Sequence, residues 1–329
     1  MNIQNILLIA LVITIPLVIV TQPTLARKSD IDKPIYANAE NLKEHVYTIV
    51  EKFPNRSYKN LTALEQTARY IHDHFAAYSS EVKYETFKVK NVNDDNYTTY
   101  TNVVATFQGT QGKEDEYIIV GGHYDTFAGY PGANDNTSAV ASLLELARLL
   151  AMHPPKSNVQ LVAYCLEEPP FFGTDKMGSF KHAQNLKLAG KNVALAIIMD
   201  MIGAYSDKVG SQHYPIPGME FLYPDKANYI SVVANLSWEN ILSTRMVKKS
   251  LIQNNDLPVY SMNAPSIIPG IDFSDHRNYW KFDFPAVLIT DTAFYRTKNY
   301  HTPDDTPDTL NYDNMAKLTE SVHKILQEI

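Results

Sequence analysis

The sequence has 329 residues, of which 45% are apolar and 20% charged, and its formal net charge is -7. That is enough chain for one large α/β domain, and an acidic balance with no basic stripe argues against a nucleic-acid partner. Cys165 is the single cysteine, so no internal disulfide can form and the fold must stand on its core, with metals as the other available support.

In chain order, the N-terminus comes first. An uncharged apolar run from Ile6 to Val20 precedes Thr24-Leu25-Ala26, a small-x-small-like cleavage site. The expectation is export to the periplasm or the exterior, with residues 1–26 removed as a signal peptide and a single domain over 27–329. No basic residue precedes the run, which is also short for a span of ~20 residues and is interrupted by Pro16. The alternative is an anchor retained over residues 6–20, and only then would a membrane be a partner.

Residues 40–77 place Leu42, Val46, Ile49 and then Leu64, Ala68, Ile71, Phe75 at helical spacing, which predicts two amphipathic helices joined near Pro54. Three strand-like runs follow, "VKYETFKV", "TYTNVVATFQG" and "EYIIVGGHYDT". A helix over "SAVASLLELARLLAMH" stops at Pro154-Pro155 and leads to the strand "VQLVAYCL". The pattern continues with a helix at 177–188, the strand "VALAIIMDMIG", a long Tyr- and Pro-rich stretch over 205–269, and a helix near 275–281. The strand "AVLITD" and a last helix from Tyr312 close the chain. Alternating strands and helices predict a three-layer α/β/α sandwich around a mixed, mainly parallel sheet.

Chemistry gathers at the strand ends. "IIVGG" runs into His123 and Asp125, "LVAYCL" into Glu167 and Glu168, "LAIIM" into Asp200, and "AVLITD" into the loop carrying His301. The carboxyl ends of parallel strands share one sheet edge, so these distant residues converge there. Asp135, just before the helix after the first of these strands, reaches the same crevice. Such a set predicts a di-metal hydrolytic site, in which cations compensate the repulsion between Glu167 and Glu168. Adjacent residues point different ways, so one of the pair can ligate while the other takes a proton from water.

"GGHYDT", "GANDNTSAVASLLELAR", "CLEEPPFFGTDKMGS", "IIMDMIG", "SDHRNYW" and "YHTPDDT" occur in the order and spacing of the zinc-dependent exopeptidase family of bacterial leucyl aminopeptidases, glutamate carboxypeptidases and glutaminyl cyclases, which the chain resembles from 41 to 329. The resemblance implies two zinc ions roughly 3.5–4 Å apart. It implies that His123 and Asp200 hold one, that Glu168 and His301 hold the other, and that Asp135 bridges them. Glu167 then corresponds to the general base, and Asp125 to the carboxylate that orients His123. Family members often have a cis peptide after the bridging carboxylate, here Asp135-Asn136. Pro169-Pro170 departs from the Gly- or Ala-containing turn of many members and implies a stiffer loop.

Blander readings stand beside these. Asp304 and Asp305 fit turn and cap residues before the last helix. Asp275 and His276 fit either a helix cap or a pocket wall. His72 and His74 are two apart on a helix and so face different ways, as surface residues. His45, His153, His182, His213 and His323 are structural, and Cys165 lies in an apolar strand as an inert thiol. No H-E-x-x-H helix, G-x-S-x-G elbow or phosphate loop occurs. The expected activity is a di-zinc aminopeptidase acting on peptides with a free N-terminus. Glutaminyl cyclase is the first rival; a carboxypeptidase, with Arg277 or Arg296 as clamp, is the second, and a non-enzymatic binding module the last.

Overall fold

Asn38 opens the first helix, α1 (Ala39–Lys52), with its side chain accepting from the Glu40 amide, and Leu42, Val46 and Ile49 face inward. α2 (Leu61–Ala76) repeats the device: Asn60 caps it and Leu64, Ala68, Ile71 and Phe75 are buried. This computed structural model describes residues 14, 17–26, 36–92 and 95–329. Most of the expected leader over 1–26 lies outside the described residues. Among the described residues no helix is long and apolar enough to cross a membrane.

The strands are β1 (Glu81–Lys90), β2 (Tyr97–Phe107), β3 (Glu116–His123), β4 (Val159–Tyr164), β5 (Asn192–Met199), β6 (Ile230–Ala234), β7 (Val259–Asn263) and β8 (Ala286–Thr290). They form one sheet in the order β1-β2-β4-β3-β5-β8-β6-β7. The centre, β4-β3-β5-β8, is parallel, whereas β1, β2 and the β6–β8 contact are antiparallel. The expected mixed sheet is therefore present, and its parallel part is the part that matters for the site. β4 and β8 are buried at every position, because helices cover both faces. α3 (Ser138–Met152) is almost wholly buried, and α4 (Gly178–Leu188) and α7 (Tyr312–Glu328) complete the layers where the sequence placed them.

The Tyr- and Pro-rich stretch over 205–269, to which the sequence reading assigned no helix or strand, holds two strands and an α-helix. It contains β6, β7 and between them α5 (Trp238–Asn254). The reason is visible in α5: its buried face mixes Asn240, Thr244, Lys248 and Ser250 with Val247 and Leu251, so no apolar stripe announces the helix. Tertiary bonds replace it, such as Asn240 Oδ1 accepting from the Ala286 amide at 2.8 Å. The helix expected at 275–281 is shorter, α6 (His276–Trp280).

His74 also departs from its surface reading. Its ring meets that of buried His45 edge-on at 4.5 Å, and His45 Nδ1 lies 2.7 Å from the Tyr70 hydroxyl. Burial, then the His74 charge, pushes the His45 pKa down to about 4. Its neutral form is the folded form, so the stabilisation is present above the unfolded value of about 6.5 and is lost as pH falls toward 4. The expected loss between pH 6.5 and pH 5 is on the order of 2 kcal/mol. Melting curves at the two pH values should differ less for His45→Phe than for the unsubstituted chain; an unchanged difference would contradict the assignment.

Candidate metal centre

Each strand of the parallel centre delivers one part of the site. β3 ends at His123, β5 ends one residue before Asp200, and the chain leaving β4 turns at Leu166, φ 66, into Glu167 and Glu168. The loop after β8 carries His301. Asp135 sits on a short helical turn ahead of α3, where Gly132 has φ 60 and an added Cβ would meet Thr126 Cγ2 at 2.3 Å and Asp135 O at 2.4 Å, so only glycine fits. The Asp135-Asn136 peptide is cis, as the resemblance implies, and so is Pro169-Pro170.

The two Asp135 oxygens face opposite imidazoles. Oδ1 is 3.3 Å from His123 Nε2 and Oδ2 is 3.2 Å from His301 Nε2. Asp200 Oδ1 approaches His123 Nε2 at 3.7 Å, and Glu168 Oε2 approaches His301 Nε2 at 3.2 Å. The donor atoms fall into the clusters His123/Asp135/Asp200 and Asp135/Glu168/His301, each within 4.8 Å, and Glu167 joins His123 and Glu168 in a third. All seven site residues named from the sequence thus occupy one place, and Asp125 approaches His123 through two groups. Its backbone carbonyl, 3.0 Å from His123 Nδ1, holds the ring, while its carboxylate stands off at 3.6 Å. That carboxylate accepts instead from the amides of Glu167 and Glu168, both at 3.1 Å.

The electrostatics set four carboxylates against two imidazoles. Burial raises Glu168 to about 8, helped by Asp135, and lifts Glu167 well above the carboxylate range against the pull of His123. Burial disfavours charge on the imidazoles, yet Glu167, Asp125, Asp135 and Asp200 hold His123 well above its ordinary value, and Asp135 and Glu168 raise His301 to about 9. Glu168 Oε1 is buried without a hydrogen-bond partner. Four carboxylates and two imidazoles, with an orphaned buried oxygen among them, fit divalent metal.

Three residues that hold this set were not singled out in the sequence. Arg56 is fully buried and donates to the carbonyls of Tyr124, Phe53, Pro131 and Gly132 and to Thr137 Oγ, fastening the Asp135 turn to the end of β3. Phe127 and Tyr300 sandwich His301, with ring centroids 4.0 and 3.8 Å away. Asp305 corrects its reading as a turn residue: it is buried and accepts from the amides of Asn134 at 2.8 Å and Asp135 at 3.0 Å. Asp275 does not cap its helix and accepts from Ser179 Oγ instead.

Beside the donors opens a cavity of about 280 Å³. Asp135, Glu167, Glu168, Asp200 and His301 line it, and so do Tyr214, Tyr223, Tyr229, Met262 and Leu288. His213, read as structural, lines it as well.

A family model described as Peptidase family M28 matches residues 102–326. The chain is 43% identical over 327 residues to the uncharacterized protein YfbL of Escherichia coli (strain K12), covering 97% of this chain and 96% of that one. A probable zinc metalloprotease of Pyrenophora tritici-repentis (strain Pt-1C-BFP) is 39% identical over 111 residues, 31% of this chain and 24% of that one. Among solved structures, the Legionella pneumophila LapA aminopeptidase matches with a TM-score of 0.66 at 20% identity, over 93% of this chain and 78% of that one. A Bacteroides thetaiotaomicron glutaminyl cyclase gives 0.65 at 17% identity, over 89% and 98%. These two likenesses are of fold alone. With the family model spanning well over half of its residues, and that fold beneath it, the chain belongs to peptidase family M28, a family of zinc-dependent hydrolases.

Proposed function

We propose that this chain is an exported di-zinc aminopeptidase that removes apolar residues from peptides with a free N-terminus. The observation that carries the reading is Asp135, whose two oxygens face His123 and His301 from opposite sides. In this reading His123, Asp135 and Asp200 would hold one ion and Asp135, Glu168 and His301 the other. Four carboxylates would balance two dications. Bound there, the ions would polarise a scissile carbonyl and acidify a water. Glu167 accepts the proton of the attacking water and passes it to the leaving amine. Asp125 keeps Glu167 and Glu168 in place through their amides, and its carbonyl presents His123 Nε2 to the site.

The wall of the cavity supports an apolar first side chain, and the acidic cluster suits a substrate ammonium. A carboxypeptidase would need a free cation for the terminal carboxylate. Arg296 donates to Ala204 O, Tyr229 O and Gln212 Oε1, Arg277 pairs with Asp272 at 3.2 Å, and neither lines the cavity. The uncharged run over 6–20 supports export, whether residues 1–26 are removed or kept as an anchor.

Zinc content measured together with a panel of aminoacyl anilides, N-blocked peptides and glutaminyl peptides tests the proposal. Two zinc ions per chain and cleavage of unblocked apolar anilides are expected. One zinc with release of pyroglutamate would instead identify a glutaminyl cyclase.

A further inference from the structure

Lys248 is buried on α5, and none of its bonds reaches the metal centre. Its Nζ donates to the carbonyls of Thr21 and Gln22, both at 2.9 Å, and to Ser261 Oγ of β7 at 3.2 Å. Ser261 Oγ in turn donates to Thr21 O at 2.9 Å. Residues 17–21 are helical, so these two carbonyls stand at a helix end, where no following turn supplies N–H groups. A lysine ammonium both satisfies such carbonyls and matches the negative end of the helix.

The segment is built to stop at this point. Gln22 adopts φ 42 and is followed by Pro23, its amide donates to Val18 O and its side chain to Ile19 O, and Thr24 Oγ donates to Gln22 O. Gln22 is only 4% exposed. The body of the protein therefore contains a seat for residues that a signal peptidase would discard. The uncharged run from Ile6 to Val20 leads into it and shares residues 17–20 with it.

We propose that residues 17–26 remain on the mature protein as a tether, seated on α5 and β7 by Lys248 and Ser261, that holds the domain against the lipid bilayer receiving the apolar residues ahead of position 17. α5 offers matching chemistry. Trp238 and Leu242 are 68% and 48% exposed, Arg245 and Lys249 are exposed, and their spacing places all four on one stripe of the helix. Tryptophan, leucine and cations on one stripe suit the headgroup region. A chain that sheds residues 1–26 would leave Lys248 with Ser261 as its remaining partner among these acceptors.

Two measurements on the full chain test this, and neither depends on catalysis, so loss of the aminopeptidase reading would not touch the outcome. After expression in a bacterial host, intact mass should show residues 6–26 retained, with the protein in the membrane pellet after an alkaline carbonate wash. A soluble chain beginning near Arg27 would overturn the proposal. In the detergent-solubilised chain, amine acylation at pH 8 should label Lys248 at least about ten-fold more slowly than its exposed neighbour Lys249. Burial lowers the Lys248 pKa to about 8, which makes an accessible amine more reactive, so protection reports the seat itself. Equal labelling of the two lysines would overturn it.

Discussion

Glu167→Gln should lower turnover by roughly 10²–10⁴-fold and leave zinc content unchanged. The substitution keeps the shape of the side chain and the amide that Asp125 holds at 3.1 Å. It removes only the ability to take and return a proton. The other donors approach one another without Glu167, through the contacts of Asp135 with His123 and His301, so metal binding has no reason to fail. In the metal-free protein the same substitution should not lower the melting temperature, because burial already works against a charge at this position. Undiminished hydrolysis by Glu167→Gln would refute the assignment of this residue as the base.

Arg56→Met should cost about 3–5 kcal/mol of stability, the range for removing one member of a buried charged network. Methionine fills the stem but leaves the carbonyls of Tyr124, Pro131 and Gly132 without the donor that joins them. Burial lowers the Arg56 pKa to about 10, so the guanidinium is charged at neutral pH, facing Asp305, Asp125 and Asp135. Its loss loosens the Asp135 turn, and zinc affinity should fall by roughly 10–100-fold, as for partners that orient ligands from behind. Arg56→Lys should recover little, because a point-like ammonium cannot serve a fan of acceptors. A melting temperature and zinc affinity both unchanged in Arg56→Met would show that the turn holds itself.

The parallel centre and its chemistry were legible for a local reason. "IIVGGHYD", "LVAYCLEE" and "LAIIMD" each end an apolar strand in a ligand-type residue, and parallel strands bring such ends together whatever the distance along the chain. The amphipathic helices were legible by the same kind of local signal, with Leu42, Val46 and Ile49 of α1 or Leu64, Ala68 and Ile71 of α2 repeating on one face.

Residues whose role is fixed by distant partners carried no such mark. α5 was invisible because its buried face is mostly polar and is satisfied from elsewhere, by Ala286 for Asn240 and by the N-terminal segment for Lys248. Arg56 sits in a turn like any arginine until the fold surrounds it with carbonyls. Asp305 reads as a turn residue until the Asn134 and Asp135 amides arrive 171 and 170 positions away in the chain. The sequence by itself determined the kinds of groups and the sheet edge at which they meet, because strand order and pattern are local properties. Only the tertiary structure decided which oxygen faces which imidazole and which buried donors hold them there, because hydrogen-bond geometry exists only between groups that folding has already brought together.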